Sequence, residues 1–365
     1  MFIRKLRVKG WRNLADEILP LGSRVTVLHG RNGQGKSNLL EAAYYAITFR
    51  SFRTHGVVDL IRWGDATADI EAAVTLRGLD RVLRVRLGEG KKTTTLDGKS
   101  VRRDAESLAG AGAVIFGPDD LRLPKAAAAD RRRALDRAVF AVHRNYYREA
   151  LAFERALKAR NGILRRGGFT RELLDSYDET LAVTGARIVA RRRELVASLA
   201  PRFAQAFQEI HGQLPASIRY RSHAAIEAAA AEEEIRGALA RGLATQRGLD
   251  ERRGFTGFGP HTDDLEIRLG ERAAREHGSQ GQIRSLVLAF KFAELRHVEA
   301  GNGETPVLLL DDVASELDEE RRARLFETLS AAACQTLLTV TEKALLPDLP
   351  GRVDWQVSAG HIEPG

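Results

Sequence analysis

Residues 30–37 read Gly-Arg-Asn-Gly-Gln-Gly-Lys-Ser and form the pattern G-x-x-x-x-G-K-S. The β-branched run at residues 24–29 predicts a short buried strand before this pattern. The apolar spacing of residues 38–49 predicts a helix after it. A strand, a glycine-rich loop and a helix in this order are typical of a phosphate-binding loop. The alternative is an ordinary glycine-rich turn that contains a lysine by chance.

Each residue type in this loop has a physical role in binding phosphate. Glycine permits positive φ and a close approach of the backbone, and successive N–H groups at a helix N-terminus attract anions. Lys36 adds a full charge near the β and γ phosphates, and Ser37 offers a hydroxyl to Mg²⁺. The residues expected to contact the nucleotide here are Gly30, Arg31, Asn32, Gly33, Gln34, Gly35, Lys36 and Ser37.

A second polar cluster follows the apolar run at residues 307–310, where Asp311 and Asp312 stand side by side. Such a run predicts a buried parallel strand, and ligands bind outside the carboxyl ends of parallel strands. We expect Asp311 to hold Mg²⁺ and Asp312 to polarise the attacking water, with Lys36 and Asp312 as the catalytic residues. The alternative is an acidic strand end that caps the next helix.

A third element is the segment Ser-Gln-Gly-Gln at residues 279–282, which precedes a strongly apolar helical stretch. A serine at a helix start is a good N-cap, and a glycine there allows close approach to a ligand. This segment therefore predicts a second anion site at a helix N-terminus. A plain helix cap is the alternative.

The order of these motifs, followed by Ser-x-Leu-Asp at residues 315–318, resembles the ATP-binding-cassette ATPases. Within them, the chain resembles the DNA-repair branch that includes chromosome-maintenance proteins, and more closely the RecF family of bacterial recombination proteins. The resemblance covers essentially the whole chain. Further segments that resemble this family lie at residues 6–14, 116–121, 132–136, 157–161 and 259–265.

The resemblance implies an α/β fold, namely an ABC-type P-loop ATPase head with an antiparallel β subdomain and an inserted α-helical arm. It implies ATP and Mg²⁺ as cofactors and an ATP-dependent homodimer. In that dimer Ser279, Gly281 and Gln282 of one subunit cap the γ-phosphate held by the other subunit. Arg12 and Asn13 are implied to lie near the base and phosphates.

The sequence departs from common cassette patterns at three points, and the second and third lead us to expect slow hydrolysis. Gly278 precedes Ser279 where transporter-type signatures carry leucine, and Asp312 stands where most cassettes carry the longer glutamate. No histidine stands near residues 339–341, where many cassettes place a γ-phosphate sensor. ATP is therefore expected to act mostly as a dimerisation switch, with weak, DNA-stimulated hydrolysis.

The positive charge is concentrated in the middle of the chain. Residues 130–253 hold 24 Arg and Lys against 16 Asp and Glu, and this excess of eight equals the net charge of the whole chain. A basic segment favours a polyanionic partner. The alternative is a set of solvated helix faces with intrahelical ion pairs. The same two alternatives, contact with a polyanion or a solvated surface, apply to the cations at the end of a predicted meander, which are Lys91, Lys92, Arg102 and Arg103.

The pattern along the chain predicts three segments: residues 1–128 as the first part of the ATPase domain, 129–254 as the helical arm and 255–365 as the second part of the ATPase domain. Alternating apolar residues at 69–76, 81–87 and 92–96 predict an antiparallel meander. The apolar spacing from 177 to 199 predicts one long helix that Pro201 ends or kinks.

Composition narrows the class of protein. No apolar run approaches the length of a membrane span, and the first residues lack the apolar core of a signal peptide. The single Cys334 excludes an internal disulfide. A cytoplasmic protein without a membrane partner is expected.

The resemblance implies action in recombinational repair and replication. We expect sequence-independent binding to gapped, duplex or single-stranded DNA, and help in loading a recombinase at single-strand gaps with a recombination mediator as partner. The alternative functions are an ATP-binding subunit of a membrane transporter, a structural chromosome protein of the same branch, and a DNA clamp that binds ATP without hydrolysing it.

Overall fold

The computed structural model describes residues 1–54, 56–88, 90–102, 108, 110–168, 170–212, 214–331 and 333–365. The chain forms two compact units. The first combines Met1–Arg122 with Val287–Gly365, and the second is Leu123–Leu286. The two ends of the chain therefore build one unit together.

An antiparallel sheet forms much of the first unit. Its strands are β1 (Phe2–Lys9), β2 (Glu17–Pro20), β4 (Thr67–Leu76), β5 (Leu79–Gly88), β6 (Lys91–Leu96) and β7 (Lys99–Ser100), in the order β2-β1-β4-β5-β6-β7. One face is buried and the other faces solvent, because the apolar residues alternate along each strand. The predicted meander is confirmed as β4-β5-β6.

A mostly parallel sheet carries the motifs. Its strands are β3 (Val25–His29), β8 (Ala113–Phe116), β12 (Val307–Asp311), β13 (Thr336–Val340), β14 (Arg352–Ser358) and β15 (His361–Pro364), in the order β15-β14-β3-β13-β12-β8. All neighbouring strands run parallel except the hairpin of β14 and β15. β12 and β13 are buried at every residue and β3 at its three central residues, as expected for strands covered on both faces.

Helix α1 (Lys36–Thr48) joins the two sheets. It contacts β8, β12 and β13 of the parallel sheet and β4 and β5 of the antiparallel sheet. One apolar cluster runs through both sheets and this helix, with the Trp11 side chain fully buried in it. Two further helices of this unit, α9 (Val313–Glu316) and α10 (Glu319–Ala331), follow β12. The Asp318 carboxylate accepts a hydrogen bond from the Arg321 N–H at 3.0 Å and caps α10.

The second unit is mainly helical. Its helices are α2 (Ala128–Val142), α3 (Tyr146–Arg166), α4 (Arg171–His211), α5 (Ala224–Glu227), α6 (Glu232–Arg253) and α7 (Ala274–His277). Helix α8 (Gln280–Asn302) begins in this unit and continues into the first. No helix among the described residues has the length and apolar character to cross a bilayer.

The second unit also contains a small sheet, and one of its strands, β9, lies inside the segment predicted as the helical arm. Strand β9 (Ala216–Arg221) pairs with β10 (Asp264–Leu269), which pairs in turn with β11 (Arg272–Ala273). Alternate side chains of β9, including Ile218 and Tyr220, are buried. Because this pairing is long-range, the unit reaches Leu286 instead of the predicted boundary at 254.

Helix α4 continues through Pro201 to His211, so the proline does not end the helix. The helix carries a buried stripe on both sides of the proline, including Leu199 and Phe203. Packing of this stripe compensates for the hydrogen bond that proline removes from a helix interior.

Some arginines of the basic middle segment, residues 130–253, are buried in the core. Arg160 is fully buried, and its guanidinium donates to Asp178 Oδ1 at 2.6 Å and to Asp250 Oδ2 at 2.8 Å. Arg192 is buried and donates to both carboxylate oxygens of Asp136, at 2.8 and 3.0 Å. These arginines hold helices together and are not available to a polyanionic partner.

We expect substitution by alanine to have opposite effects at two glycines of α6. A Cβ at Gly242 would lie 2.1 Å from Phe258 Cε1, and the Phe258 ring is buried and held edge-on against His223 at 4.7 Å. A Cβ at Gly248 meets no atom within 4 Å. We expect Gly248→Ala to raise the free energy of unfolding by about 0.5–1 kcal/mol through helix propensity.

Gly242→Ala should lower that free energy by about 1–2 kcal/mol, because overpacking outweighs the same gain in propensity. Urea denaturation of the full chain, followed by far-UV circular dichroism, measures both variants. Equal effects of the two substitutions would contradict the close packing of Gly242 on Phe258.

Candidate nucleotide-binding site

The glycine-rich loop lies between β3 and α1 and has the backbone that the sequence predicts. Gly30 and Gly35 have φ of 147° and 115°. A Cβ at Gly30 would lie 2.3 Å from the Val357 carbonyl oxygen, and one at Gly35 would lie 2.7 Å from Leu14 Cδ2. Both positions therefore require glycine for conformation and for space. The loop ends at the N-terminus of α1, where the helix dipole favours an anion.

The Lys36 side chain is buried at this helix end, with 6% of its surface exposed. Its Nζ donates hydrogen bonds to the carbonyl oxygens of Gly30 at 2.6 Å and of Arg31 at 2.9 Å. Burial lowers the pKa of Lys36 because desolvation disfavours the ammonium, and the nearby carboxylates of Asp312 and Asp311 partly offset this. The loop thus curls around an ammonium group that lacks a direct carboxylate partner among the described residues.

A chain of hydrogen bonds connects the loop to the end of β12. Ser37 Oγ donates to Asp311 Oδ1 at 2.7 Å, and Thr339 Oγ1 donates to the same oxygen at 2.9 Å. The Asp312 N–H then donates to Thr339 Oγ1 at 2.8 Å. The register of β3, β13 and β12 places these three strand ends at one edge of the sheet. Thr339 was not predicted as a site residue, because its role depends on strand pairing across the chain.

Ser37 and Asp311 fit a magnesium site. Mg²⁺ prefers hard oxygen ligands and is usually held by one or two protein groups together with substrate phosphates. The Ser37 hydroxyl and the buried Asp311 carboxylate are in direct contact and offer two such oxygens. The described residues contain no group of three or more His, Cys, Asp or Glu side chains that could form an all-protein metal site.

The backbone changes direction at Asp312, directly after β12. Its φ is 52°, a left-handed conformation that is costly for a residue other than glycine. Burial raises the pKa of its carboxyl, although a hydrogen bond from Ser315 and the charge of Lys36 partly oppose this. Asp312 Oδ1 is buried and has no hydrogen-bond partner among the described residues. The strained backbone therefore presents an acceptor oxygen with spare capacity beside Lys36 and Asp311.

The structure brings Asn13 to the loop, while the Arg12 guanidinium has protein partners. Asn13 Nδ2 donates to the Gly33 carbonyl oxygen at 3.2 Å. Arg12 donates from Nε and Nη2 to the two carboxylate oxygens of Glu41, at 2.8 Å each, and from Nη1 to the Asp59 carbonyl at 2.7 Å. Glu41 is fully buried and was not predicted, although an acidic residue inside the apolar stripe of a helix is a signal for such a role.

The remaining loop residues divide into exposed and structural positions. Arg31 and Asn32 are exposed. Gln34 accepts a hydrogen bond at its Oε1 from the Ala359 N–H at 2.6 Å, and its carbonyl accepts from the Gly360 N–H at 3.0 Å. The Gln34 side chain therefore ties the loop to the turn between β14 and β15, a contact that the motif alone does not predict.

Ser279, Gly281 and Gln282 lie in the second unit, at the start of α8. The Ser279 hydroxyl accepts from the Gln282 N–H at 3.2 Å, and Gln282 Oε1 accepts from the Ser279 N–H at 2.9 Å. This reciprocal pair is a capping box, which confirms the predicted serine cap. A Cβ at Gly278 would lie 2.7 Å from both the Ala274 carbonyl oxygen and Ile283 Cδ1, so a leucine cannot fit there without movement of the backbone.

The chain is similar to known proteins over most of its length. Residues 2–350 match the family described as RecF/RecN/SMC N terminal domain. The DNA replication and repair protein RecF of Anaeromyxobacter dehalogenans is 42% identical over 371 residues, which covers 100% of this chain and 99% of that protein. The protein of the same name from Geobacter sulfurreducens is 35% identical over 367 residues and 100% of both chains.

Solved structures show the same fold. A structure of the recombination mediator protein RecF-ATPrS in the RecFOR pathway has a TM-score of 0.91 at 29% identity and covers 100% of this chain and 98% of that one. An SMC head bound to the C-winged helix domain of ScpA has a TM-score of 0.58 at 15% identity, with 100% and 98% coverage, and shares the fold alone. The predicted ATPase head with an antiparallel β subdomain and a helical arm is thereby confirmed. The resemblance drawn from the motifs is confirmed as well, and the chain belongs to the RecF family, within the wider group of RecF, RecN and SMC proteins.

Proposed function

We propose that this chain is an ATP-binding and slowly ATP-hydrolysing protein of DNA repair and replication. The observation that carries the proposal is the contact of Ser37 Oγ with Asp311 Oδ1 at 2.7 Å, directly beside the buried Lys36. This contact joins a phosphate-binding loop to a carboxylate at the end of a parallel strand, which is the arrangement that P-loop ATPases use. RecF relatives named for DNA replication and repair support the biological setting.

The triphosphate would lie against the N-terminus of α1. Backbone N–H groups of the loop and the helix dipole favour its negative charge. Lys36 Nζ, which donates to two loop carbonyls, would gain a phosphate oxygen as an anionic partner. Asn13 donates to the Gly33 carbonyl and would lie beside the nucleotide. Arg12 would act mainly by holding the segment around Asp59, whose carbonyl accepts from its guanidinium.

Ser37 and Asp311 would hold Mg²⁺. The metal supplies neutralisation of phosphate charge when it is bound. Asp312 would orient and polarise the attacking water through its buried Oδ1. The Asp312 side chain is shorter than the glutamate that most cassettes carry there. Many cassettes place a sensing histidine near position 339, where this chain has a threonine whose hydroxyl donates to Asp311. These two features support slow hydrolysis, with ATP acting as a switch for dimerisation.

The start of α8 would complete the site of a second subunit. Ser279 is exposed at a helix N-terminus and its hydroxyl is ordered by the capping box. With Gly281 and Gln282 it would meet the γ-phosphate bound by a partner copy, so that two nucleotides close a homodimer. The exposed anion-attracting helix end supports this arrangement.

The closed dimer would grip gapped, duplex or single-stranded DNA without reading its sequence, and hydrolysis would be stimulated by DNA. It would help to load a recombinase at single-strand gaps together with a recombination mediator protein in the cytoplasm. The basic composition of the chain and the RecFOR pathway of the similar solved structure support this role.

Lys36→Arg should keep ATP binding and lower the turnover of ATP by about 100-fold or more. The guanidinium keeps the charge, but its planar fork cannot occupy the small cradle formed by the Gly30 and Arg31 carbonyls. Steady-state phosphate release and equilibrium binding of a fluorescent ATP analogue measure the two effects. The exposed Lys99→Arg is the control, and normal turnover of Lys36→Arg would contradict the loop assignment.

Asp312→Asn should preserve ATP binding and dimerisation while lowering phosphate release by about 10- to 100-fold, because the amide cannot accept a proton from water. Single-turnover hydrolysis compared with nucleotide binding separates these effects. Equal phosphate release by the wild type and the variant would favour a clamp that does not depend on hydrolysis and would remove Asp312 from the catalytic role.

Ser279→Arg should leave nucleotide binding by the monomer intact and abolish the ATP-dependent dimer, since a bulky cation replaces the cap at the subunit contact. Sedimentation velocity with and without ATP measures the dimer. Ser176→Arg adds the same charge at an exposed position of α4 and serves as the matched control. An unchanged ATP-dependent dimer in the Ser279 variant would refute the trans arrangement.

A further inference from the structure

The solvent face of the antiparallel sheet carries an ordered array of charges that the nucleotide site does not use. We call it the ladder face, and its residues are Lys5, Arg7, Lys9, Asp69, Glu71, Arg84 and Arg86. They come from three neighbouring strands, β1, β4 and β5. The buried residues alternate with them along each strand, so that all seven side chains project from one side of the sheet.

The strand register sets the charges in two rows. In one row Glu71 of β4 lies directly between Arg7 of β1 and Arg84 of β5. In the other row Asp69 lies between Lys9 and Arg86. Side chains directly opposite each other in a sheet are within reach of an ion pair. Each carboxylate thus has two cationic neighbours and can neutralise one of them.

Both carboxylates pair with the arginines of β5. Arg84 Nε lies 2.6 Å from Glu71 Oε2, and Arg86 Nε lies 3.0 Å from Asp69 Oδ1. The opposite neighbours, Arg7 and Lys9, are exposed and have no ion-pair or hydrogen-bond partner among the described residues.

The face therefore keeps a positive excess on a rigid surface. The seven residues of the ladder face are five cations, counting Lys5, and two carboxylates. The third carboxylate of these strands, Asp80, lies 2.8 Å from Arg4 and is already paired. The unpaired cations Lys5, Arg7 and Lys9 stand at alternate positions of one strand, about 7 Å apart along it. Their backbone is fixed by pairing with β2 and β4.

We propose that the ladder face binds the phosphate backbone of duplex DNA, with Arg7 and Lys9 as its principal contacts. This deepens the proposed function and rests on it for the identity of the polyanion. Phosphate contacts come from Arg and Lys together with hydroxyl groups, and carry no sequence information. Thr93 and Thr95 of β6 lie opposite Arg86 and Arg84 and extend both rows with hydroxyl groups.

An acidic protein is the less favoured partner because protein interfaces depend on buried aromatic and apolar anchors. The seven residues of the ladder face are all charged, and Ile18 of β2, an exposed apolar neighbour opposite Arg7, is aliphatic and not aromatic. At the end of the meander, one of the four cations considered above is bonded within the protein. Lys92 Nζ donates to the Phe49 carbonyl at 3.1 Å, and Arg103 lies outside the described residues.

The test is the double substitution Arg7→Gln with Lys9→Gln in the full chain. Binding to a fluorescent duplex is measured by anisotropy at several salt concentrations in the presence of ATP. The variant should bind about 10-fold more weakly at moderate salt, and the slope of log affinity against log salt should fall by about 2, because two phosphate contacts are lost. Its ATP binding and ATP-dependent dimerisation should equal those of the wild type.

The matched control is Arg4→Gln with Arg81→Gln, which removes the same net charge from the same sheet. Arg4 is paired with Asp80 at 2.8 Å and Arg81 with Asp97 at 2.5 Å, at the opposite end of the strands. The control should change the duplex affinity by less than about 2-fold and the salt slope by less than about 1.

Equal loss in both double variants would show an effect of bulk charge and would overturn the proposal. Unchanged DNA binding by the Arg7 and Lys9 variant, together with lost retention on polyglutamate, would assign the face to an acidic protein and would also overturn it. Failure of the wild type to bind DNA under any condition would instead contradict the proposed function itself.

Discussion

The hydrogen bond from Ser37 to Asp311 connects residues 274 positions apart, and the candidate site depends on it. The contact exists because β3, β13 and β12 are parallel neighbours whose carboxyl ends reach the same edge of the sheet. Thr339, at the end of the middle strand, fixes both aspartates by donating to Asp311 and accepting from the Asp312 N–H. Neither end of the chain could form this site alone, which explains why both ends build one compact unit.

Local features of the fold could be read from the sequence. The loop glycines, the meander and the capping box of Ser279 and Gln282 are encoded by turn chemistry, alternation and cap residues within a few positions. The site residues at the carboxyl ends of strands followed from the same logic, because a buried apolar run that ends in carboxylates has few other uses.

Long-range partners could not be read in this way. Glu41 has the sequence context of an ordinary helix residue, yet its carboxylate accepts a hydrogen bond from the Arg12 guanidinium. The Gln34 side chain accepts a hydrogen bond from a backbone N–H that lies 325 residues later. Arg192 stands inside an arginine triplet but is buried against Asp136. Such pairings depend on which elements meet in space, and a single sequence carries no local signal for them.

The structural use of arginine changes how the net charge should be interpreted. A buried guanidinium such as that of Arg160 must be paired, because an uncompensated buried charge costs several kcal/mol, on the order of 3–5. Sequence clusters in the helical unit therefore overstate the charge that a partner can reach. On the antiparallel sheet, the sequence understates the reachable charge. Arg7 and Lys9 are separated by an apolar residue and form no basic run, but strand pairing aligns them with other cations.

We propose that ATP closes a dimer of this protein and that closure creates its grip on DNA. The most direct measurement is the affinity of the wild-type protein for gapped, duplex and single-stranded oligonucleotides, with and without ATP, with the mass of the bound species determined in the same samples. We expect ATP to raise the duplex affinity by about 10-fold or more and this gain to follow the appearance of the dimer. Duplex affinity that is indifferent to both nucleotide and self-association would contradict it.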